Sequence, residues 1–203
     1  MIFYRFIRAL FYLPVKIFMP TKKIGVFPKE GKYILTCNHQ SYNDSINLMV
    51  NSKRTICFVG KKEIFKNRFL AWGFRHMGVI CVDRDKPDLS SFKSIFKVLK
   101  DDQLLGIFPE GTRNKKGDGD LLEFKNGVAL IALKTKTSIV PMRFLRKPKF
   151  FRRNVLLIGE PIDLSGFYDK GTEKEVLDEV TKLIFDATET LKTNYFAQKS
   201  KKK

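Results

Sequence analysis

The chain has 203 residues, enough for one domain that buries a real core without help from disulfides or metals. With 43% hydrophobic and 30% charged residues it is globular rather than disordered, and 39 Lys+Arg against 21 Asp+Glu leave a net charge of +18. That excess attracts polyanions (nucleic acid, anionic lipid headgroups or an acidic protein) without choosing among them, and no segment reaches the ~18 apolar residues that a membrane-spanning helix needs.

Residues 1–19, MIFYRFIRALFYLPVKIFM, are apolar except for Arg5, Arg8 and Lys16. At about 100° per residue the three cations share an arc of roughly 80°, with aromatic and aliphatic side chains filling the rest. A secretory signal would carry an uninterrupted apolar centre and a small-residue cleavage site, and both are missing. The pattern predicts a helix lying in a membrane interface, its cations toward lipid phosphates. The alternative is a helix packed on the core. Pro14 is expected to kink it and Pro20 to end it.

After this segment, short β-rich runs alternate with helical patterns. Residues 33–37, 55–59, 79–83, 105–108, 138–142 and 154–158 read as strands, several of them apolar on both faces as in a covered sheet. Residues 43–52, 61–76 (in one piece or two), 89–101 and 124–135 read as helices. Thr172 with Glu175 suggests a capping box opening an amphipathic helix over 173–193. Cys37, Cys57 and Cys81 lie inside strand runs at spacings that fit no metal site, and read as buried thiols in a reducing compartment. The alternation predicts an α/β fold with a largely parallel central sheet flanked by helices.

Sites in such folds gather where strands end and loops begin. Asn38-His39-Gln40-Ser41-Tyr42-Asn43-Asp44 follows strand 33–37. Histidine is suited to take a proton near neutral pH, and a carboxylate would fix its tautomer and steady the imidazolium. Asp44 fills that role if it points back from the first turn of the next helix. Ser41-x-x-Asp44 is itself a capping box, so Asp44 could merely hold backbone N–H groups, and both roles can coexist because a carboxylate has two oxygens. His76 has no obvious partner and reads as a helix-surface or core residue.

Phe108-Pro109-Glu110-Gly111-Thr112-Arg113 follows strand 105–108. Glycine permits close backbone approach, threonine and arginine can bind a phosphate, and Glu110 suits hydroxyl recognition. The alternative is an ordinary turn with a solvated arginine. A third segment, Gly78 to Arg84, sets a cation at a strand end, where Arg84 could also be a surface ion-pair residue.

Asn38-His39-x4-Asp44, Gly78–Arg84, FPEGTR (108–113) and Val140-Pro141 together resemble the ordered blocks of the glycerolipid acyltransferases, particularly the lysophosphatidic acid acyltransferases. KEIFK (62–66), Trp72-Gly73 and FKNGVA (124–129) fit as well, and the resemblance spans roughly residues 33–145. It implies that His39 is the general base and Asp44 its orienting carboxylate. It also implies that Arg84, Glu110 and Gly111 bind the glycerol phosphate, with Thr112, Arg113 and Lys125 as further ligands.

The implied reaction moves an acyl group from acyl-CoA or acyl carrier protein to the secondary hydroxyl of lysophosphatidate, with no cofactor and no metal. A backbone N–H of the Glu110–Thr112 turn is the candidate oxyanion donor. Glycerol-3-phosphate or another lysolipid remains an alternative acceptor. The expected organisation is a membrane-interface segment over 1–22, an acyltransferase domain over 23–197 and a basic tail over 198–203. The expected location is the cytoplasmic face of the cell membrane, peripheral or monotopic. A non-catalytic binder of membrane or nucleic acid is the reading from another class. Specific nucleic-acid binding is disfavoured because the cations spread along the whole chain instead of clustering on one face.

Overall fold

The computed structural model describes residues 2–83, 89–116 and 118–201. In chain order they form α1 (Ile2–Phe18), β1 (Thr21–Ile24), β2 (Tyr33–Cys37), α2 (Asp44–Asn51), β3 (Ile56–Lys61), a 3-10 turn (Lys62–Phe65) and α3 (Arg68–His76). β4 (Ile80–Val82), α4 (Leu89–Lys100), β5 (Leu104–Ile107), α5 (Gly127–Thr135), β6 (Ile139–Phe144), β7 (Asn154–Ile158), a second 3-10 turn (Ser165–Phe167) and α6 (Lys174–Ser200) complete the order. All seven strands join one sheet in the order β1-β7-β6-β2-β5-β3-β4. Neighbours are parallel except β6 and β7, whose antiparallel pairing turns the β7–β1 edge against the rest. The α/β class and the largely parallel sheet are as expected.

The inner strands are apolar on both faces because helices cover both faces. Ile34, Leu105 and Ile139 pack with Ile95, Leu99, Val128, Ala132, Val180 and Ile184 from α4, α5 and α6. Leu35, Cys37, Leu104, Val140 and Met142 face the other way, against Leu48 of α2 and Phe27. Cys37 and Cys57 are buried free thiols, and burial pushes the Cys57 thiol up to about 11. Cys81 is partly exposed.

Several expectations change. Strand β1 is absent from the sequence reading, since TKKI carries two lysines and becomes a strand only by pairing with β7. The 172/175 capping box does not form: α6 starts at Lys174 with Glu173 at its cap, so Thr172 stands too early. The same helix runs on to Ser200, taking in the start of the basic tail. Helix α1 runs through Pro14 and stops before Pro20.

Two of α1's cations turn toward the domain. Arg8 donates to the Lys53 carbonyl (3.0 Å) and Lys16 to Asn51 Oδ1 (2.7 Å), while Val15 and Met19 pack with Val50. Tyr4 is buried, its hydroxyl accepts from the Ile56 N–H, and burial pushes its pKa up to about 12. One face of α1 is therefore a packing face, as the alternative reading had it. The opposite face stays bare: Ile2, Phe6, Leu10, Leu13 and Ile17 are each more than half exposed. Among the described residues no helix is long and apolar enough to cross a membrane.

Candidate active site

β2 and β5 are adjacent and parallel, with Thr36 opposite Ile107. The segments that follow them, 38–44 and 108–113, therefore leave the same edge of the sheet side by side. On the other flank of β2, the Asn38 amide clamps the end of β6, donating to the Phe144 carbonyl (3.0 Å) and accepting from its N–H (2.8 Å). The backbone closes the arrangement, since the His39 N–H donates to Glu110 Oε1 (3.1 Å) and the Asn114 N–H to the His39 carbonyl (2.7 Å).

His39 Nδ1 lies 2.9 Å from Asp44 Oδ2. That same oxygen accepts the N–H groups of Gln40 and Ser41, each at 2.7 Å. Both readings of Asp44 hold at once, through one oxygen rather than two; Oδ1 is buried with no hydrogen-bond partner among the described residues. The carboxylate holds the proton on Nδ1 and leaves Nε2 as the basic nitrogen. The imidazole stacks on Phe108 (centroids 4.1 Å apart, planes 17°), and the Phe108 ring is in turn nearly parallel to that of Phe58, stacked at 6.1 Å. The His39 side chain is 20% exposed, so it is fixed on one side and open on the other.

Phe108 and Glu110 also wall a cavity of about 540 Å³. Its lining is largely apolar and includes Val82, Phe92, Ile95, Ile107, Val128 and Ile131 of α4, α5 and the sheet. Its polar lining comes from Glu110, Gly111, Thr112 and Lys125, with Asp83 and Ser91. Glu110 is buried, and desolvation raises its carboxyl to about 7 against the pull of the His39 N–H. Gly111 takes a φ of +68°, which favours glycine, and its N–H donates to the Phe108 carbonyl (3.1 Å). That bond occupies one of the backbone donors considered for an oxyanion.

The structure thus brings His39, Asp44, Glu110 and Gly111 together, with Thr112 and Lys125 in the cavity lining. The Arg113 guanidinium lies 3.5 Å above the Tyr42 ring, which parks it beside the His39 loop. Arg84 lies outside the described residues. His76 is on the surface of α3, bonded to the Trp72 carbonyl (2.7 Å), as its reading held. Among the described residues no group of His, Cys, Asp and Glu is placed to hold a metal ion.

Sequence reasoning missed the supports. Gln40 accepts from the Gly119 N–H and donates to the Asp120 carbonyl. Arg143, fully buried on β6, donates to the Gly119 carbonyl (2.7 Å) and pairs with Glu189 of α6 (2.9 Å). The one signal was an arginine inside an otherwise apolar strand.

The chain matches the acyltransferase family over residues 21–145. It is 30% identical over 146 residues to a 1-acyl-sn-glycerol-3-phosphate acyltransferase of Bacillus subtilis, covering 69% of this chain and 71% of that one. A protein of the same name from Helicobacter pylori is 36% identical over 137 residues, 66% of this chain and 57% of that one. The crystal structure of the 1-acyl-sn-glycerophosphate acyltransferase PlsC from Thermotoga maritima superposes with a TM-score of 0.65. It covers 94% of this chain and 82% of that one at 22% identity, a likeness of fold.

Proposed function

The chain belongs to the acyltransferase family, and from that premise we propose that it acylates the secondary hydroxyl of lysophosphatidate to give phosphatidate, with an acyl-CoA or acyl carrier protein thioester as donor. The observation that carries the mechanism is the 2.9 Å contact between His39 Nδ1 and Asp44 Oδ2 beside the wall of a largely apolar cavity with polar groups in its lining. His39 Nε2 takes the hydroxyl proton as the oxygen attacks the thioester carbonyl. Asp44 stabilises the imidazolium that forms. Collapse of the tetrahedral intermediate breaks the C–S bond, and the departing sulfur recovers the proton from His39. No acyl-enzyme is required.

Glu110 and Gly111, with Thr112, Lys125 and Arg113 nearby, form the end that receives the glycerol phosphate, and Arg84 is assigned there by family resemblance. The apolar lining from α4, α5 and the sheet receives an acyl chain. The bare stripe of α1 supports a peripheral or monotopic seat on the cytoplasmic face of a membrane, with anionic lipid as the partner surface. The proposed organisation is an interface segment, an acyltransferase domain and a basic end, with the first boundary set before β1 (Thr21–Ile24) and the last after Ser200, where α6 ends.

Purified protein given lysophosphatidate and labelled acyl-CoA or acyl carrier protein tests this. Wild type should form phosphatidate and His39→Ala none above background; equal turnover by the two proteins would defeat the mechanism.

A further inference from the structure

Between β6 and β7, residues 145–153 (LRKPKFFRR) hold five cations and two phenylalanines and no acid. Phe150 is 57% and Phe151 84% exposed. Phe151 takes a φ of +55°, a left-handed conformation that a bulky side chain adopts only under constraint. The constraint is visible: its N–H donates to the Phe18 carbonyl (2.6 Å), and its ring meets the Phe18 ring edge-on at 5.5 Å. The strained turn is thereby laid against the end of α1 with both rings pointing into solvent.

The same turn lends Arg146, Arg152 and Arg153 to the lining of a cavity of about 380 Å³, completed by residues that include Lys192 and Lys199 of α6. Asp118 is the only acid in its lining. Lys192 is paired with Asp120, whereas the other four cations have no carboxylate partner among the described residues.

We propose that the β6–β7 turn is a second membrane-docking site, separate from α1, whose partner is an anionic phospholipid bilayer. Phe150 and Phe151 enter the acyl-chain boundary, and the cations around this cavity hold lipid phosphates. Exposed rings bordered by unpaired cations complement an interface where hydrocarbon lies just beneath negative charge. An acidic protein or a polyanion in solution would engage the cations and leave the rings wet.

The full chain is tested by sedimentation with vesicles of phosphatidylglycerol and phosphatidylcholine. In Phe150→Ala/Phe151→Gly, glycine suits the left-handed φ. The melting temperature should therefore hold or rise while vesicle partition falls about tenfold. Partition unchanged from wild type overturns the proposal, as does a lowered melting temperature, which would assign the rings to packing. Arg146→Glu/Arg153→Glu should erase the preference for phosphatidylglycerol over phosphatidylcholine; a retained preference also overturns it. Leu13→Ser/Ile17→Ser reads α1 by itself. Binding lost there but intact in the turn variants leaves the helix as anchor and removes the turn, and wild type that sediments with neither vesicle removes both.

Discussion

Asp44→Asn isolates the charge of the proposed base–carboxylate pair from the geometry that holds it. In wild type Oδ2 accepts from His39 Nδ1, the Gln40 N–H and the Ser41 N–H. An asparagine carbonyl in that place can accept the same three bonds, so the loop keeps its shape. Its NH2 group then occupies the position of Oδ1, buried without a partner, at a cost of about 1–3 kcal/mol of stability.

The larger loss falls on the transition state. An imidazolium and a carboxylate with charge centres about 4 Å apart, in an effective dielectric of about 20, attract by about 4 kcal/mol. At about 1.4 kcal/mol per factor of ten, losing that attraction slows turnover about a thousandfold. The assay is the initial rate of labelled phosphatidate formation as each substrate is varied up to saturation, beside a thermal melt. The expected result is the fall in kcat with little change in KM, because the pair acts on the reacting oxygen and not on the bound ground state. A variant that turns over within about tenfold of wild type would refute the electrostatic role of Asp44.

Glu110→Gln bears on pH. Burial holds this carboxyl at about 7 instead of near 4.5, so the fold favours its neutral form. Its contribution to stability is full below about 4.5 and lost as pH rises to about 7. The Gln variant keeps the bond from the His39 N–H and should lack that loss. The difference in melting temperature between variant and wild type must then shift in favour of the variant across the window; a constant difference contradicts the placement. Ile131→Trp narrows the apolar part of the 540 Å³ cavity. It should shift the donor preference toward shorter acyl chains in competition assays, and an unchanged preference would place the chain elsewhere. Gly25→Ala would set a Cβ 2.0 Å from the Ile158 carbonyl at a φ of +92°. It should cost about 3 kcal/mol, or about 10 °C in Tm.

Much of the molecule is legible without coordinates. Periodicity places β2, β5, β6 and β7 within two residues, because strands buried on both faces read as unbroken apolar runs. The His39–Asp44 pair and the Glu110 turn are legible because each directly follows such a run, where a polar cluster has no packing role to serve. Edge strand β1 is not legible: its two lysines obey no core pattern, and only its pairing with β7 makes it a strand.

Sequence alone determines which residues are apolar, which strands are covered and which polar segments stand at strand ends, since these depend on local pattern and solvent preference. Tertiary structure decided that β2 and β5 are neighbours, which brings His39 to Glu110 across a gap of 71 residues. It also decided that Arg143 is buried and braces the Gly119–Gln40 support, and that α1 turns two cations inward and leaves its apolar stripe outside. Such outcomes depend on which surfaces meet in the folded chain, and no window of neighbouring residues contains that information.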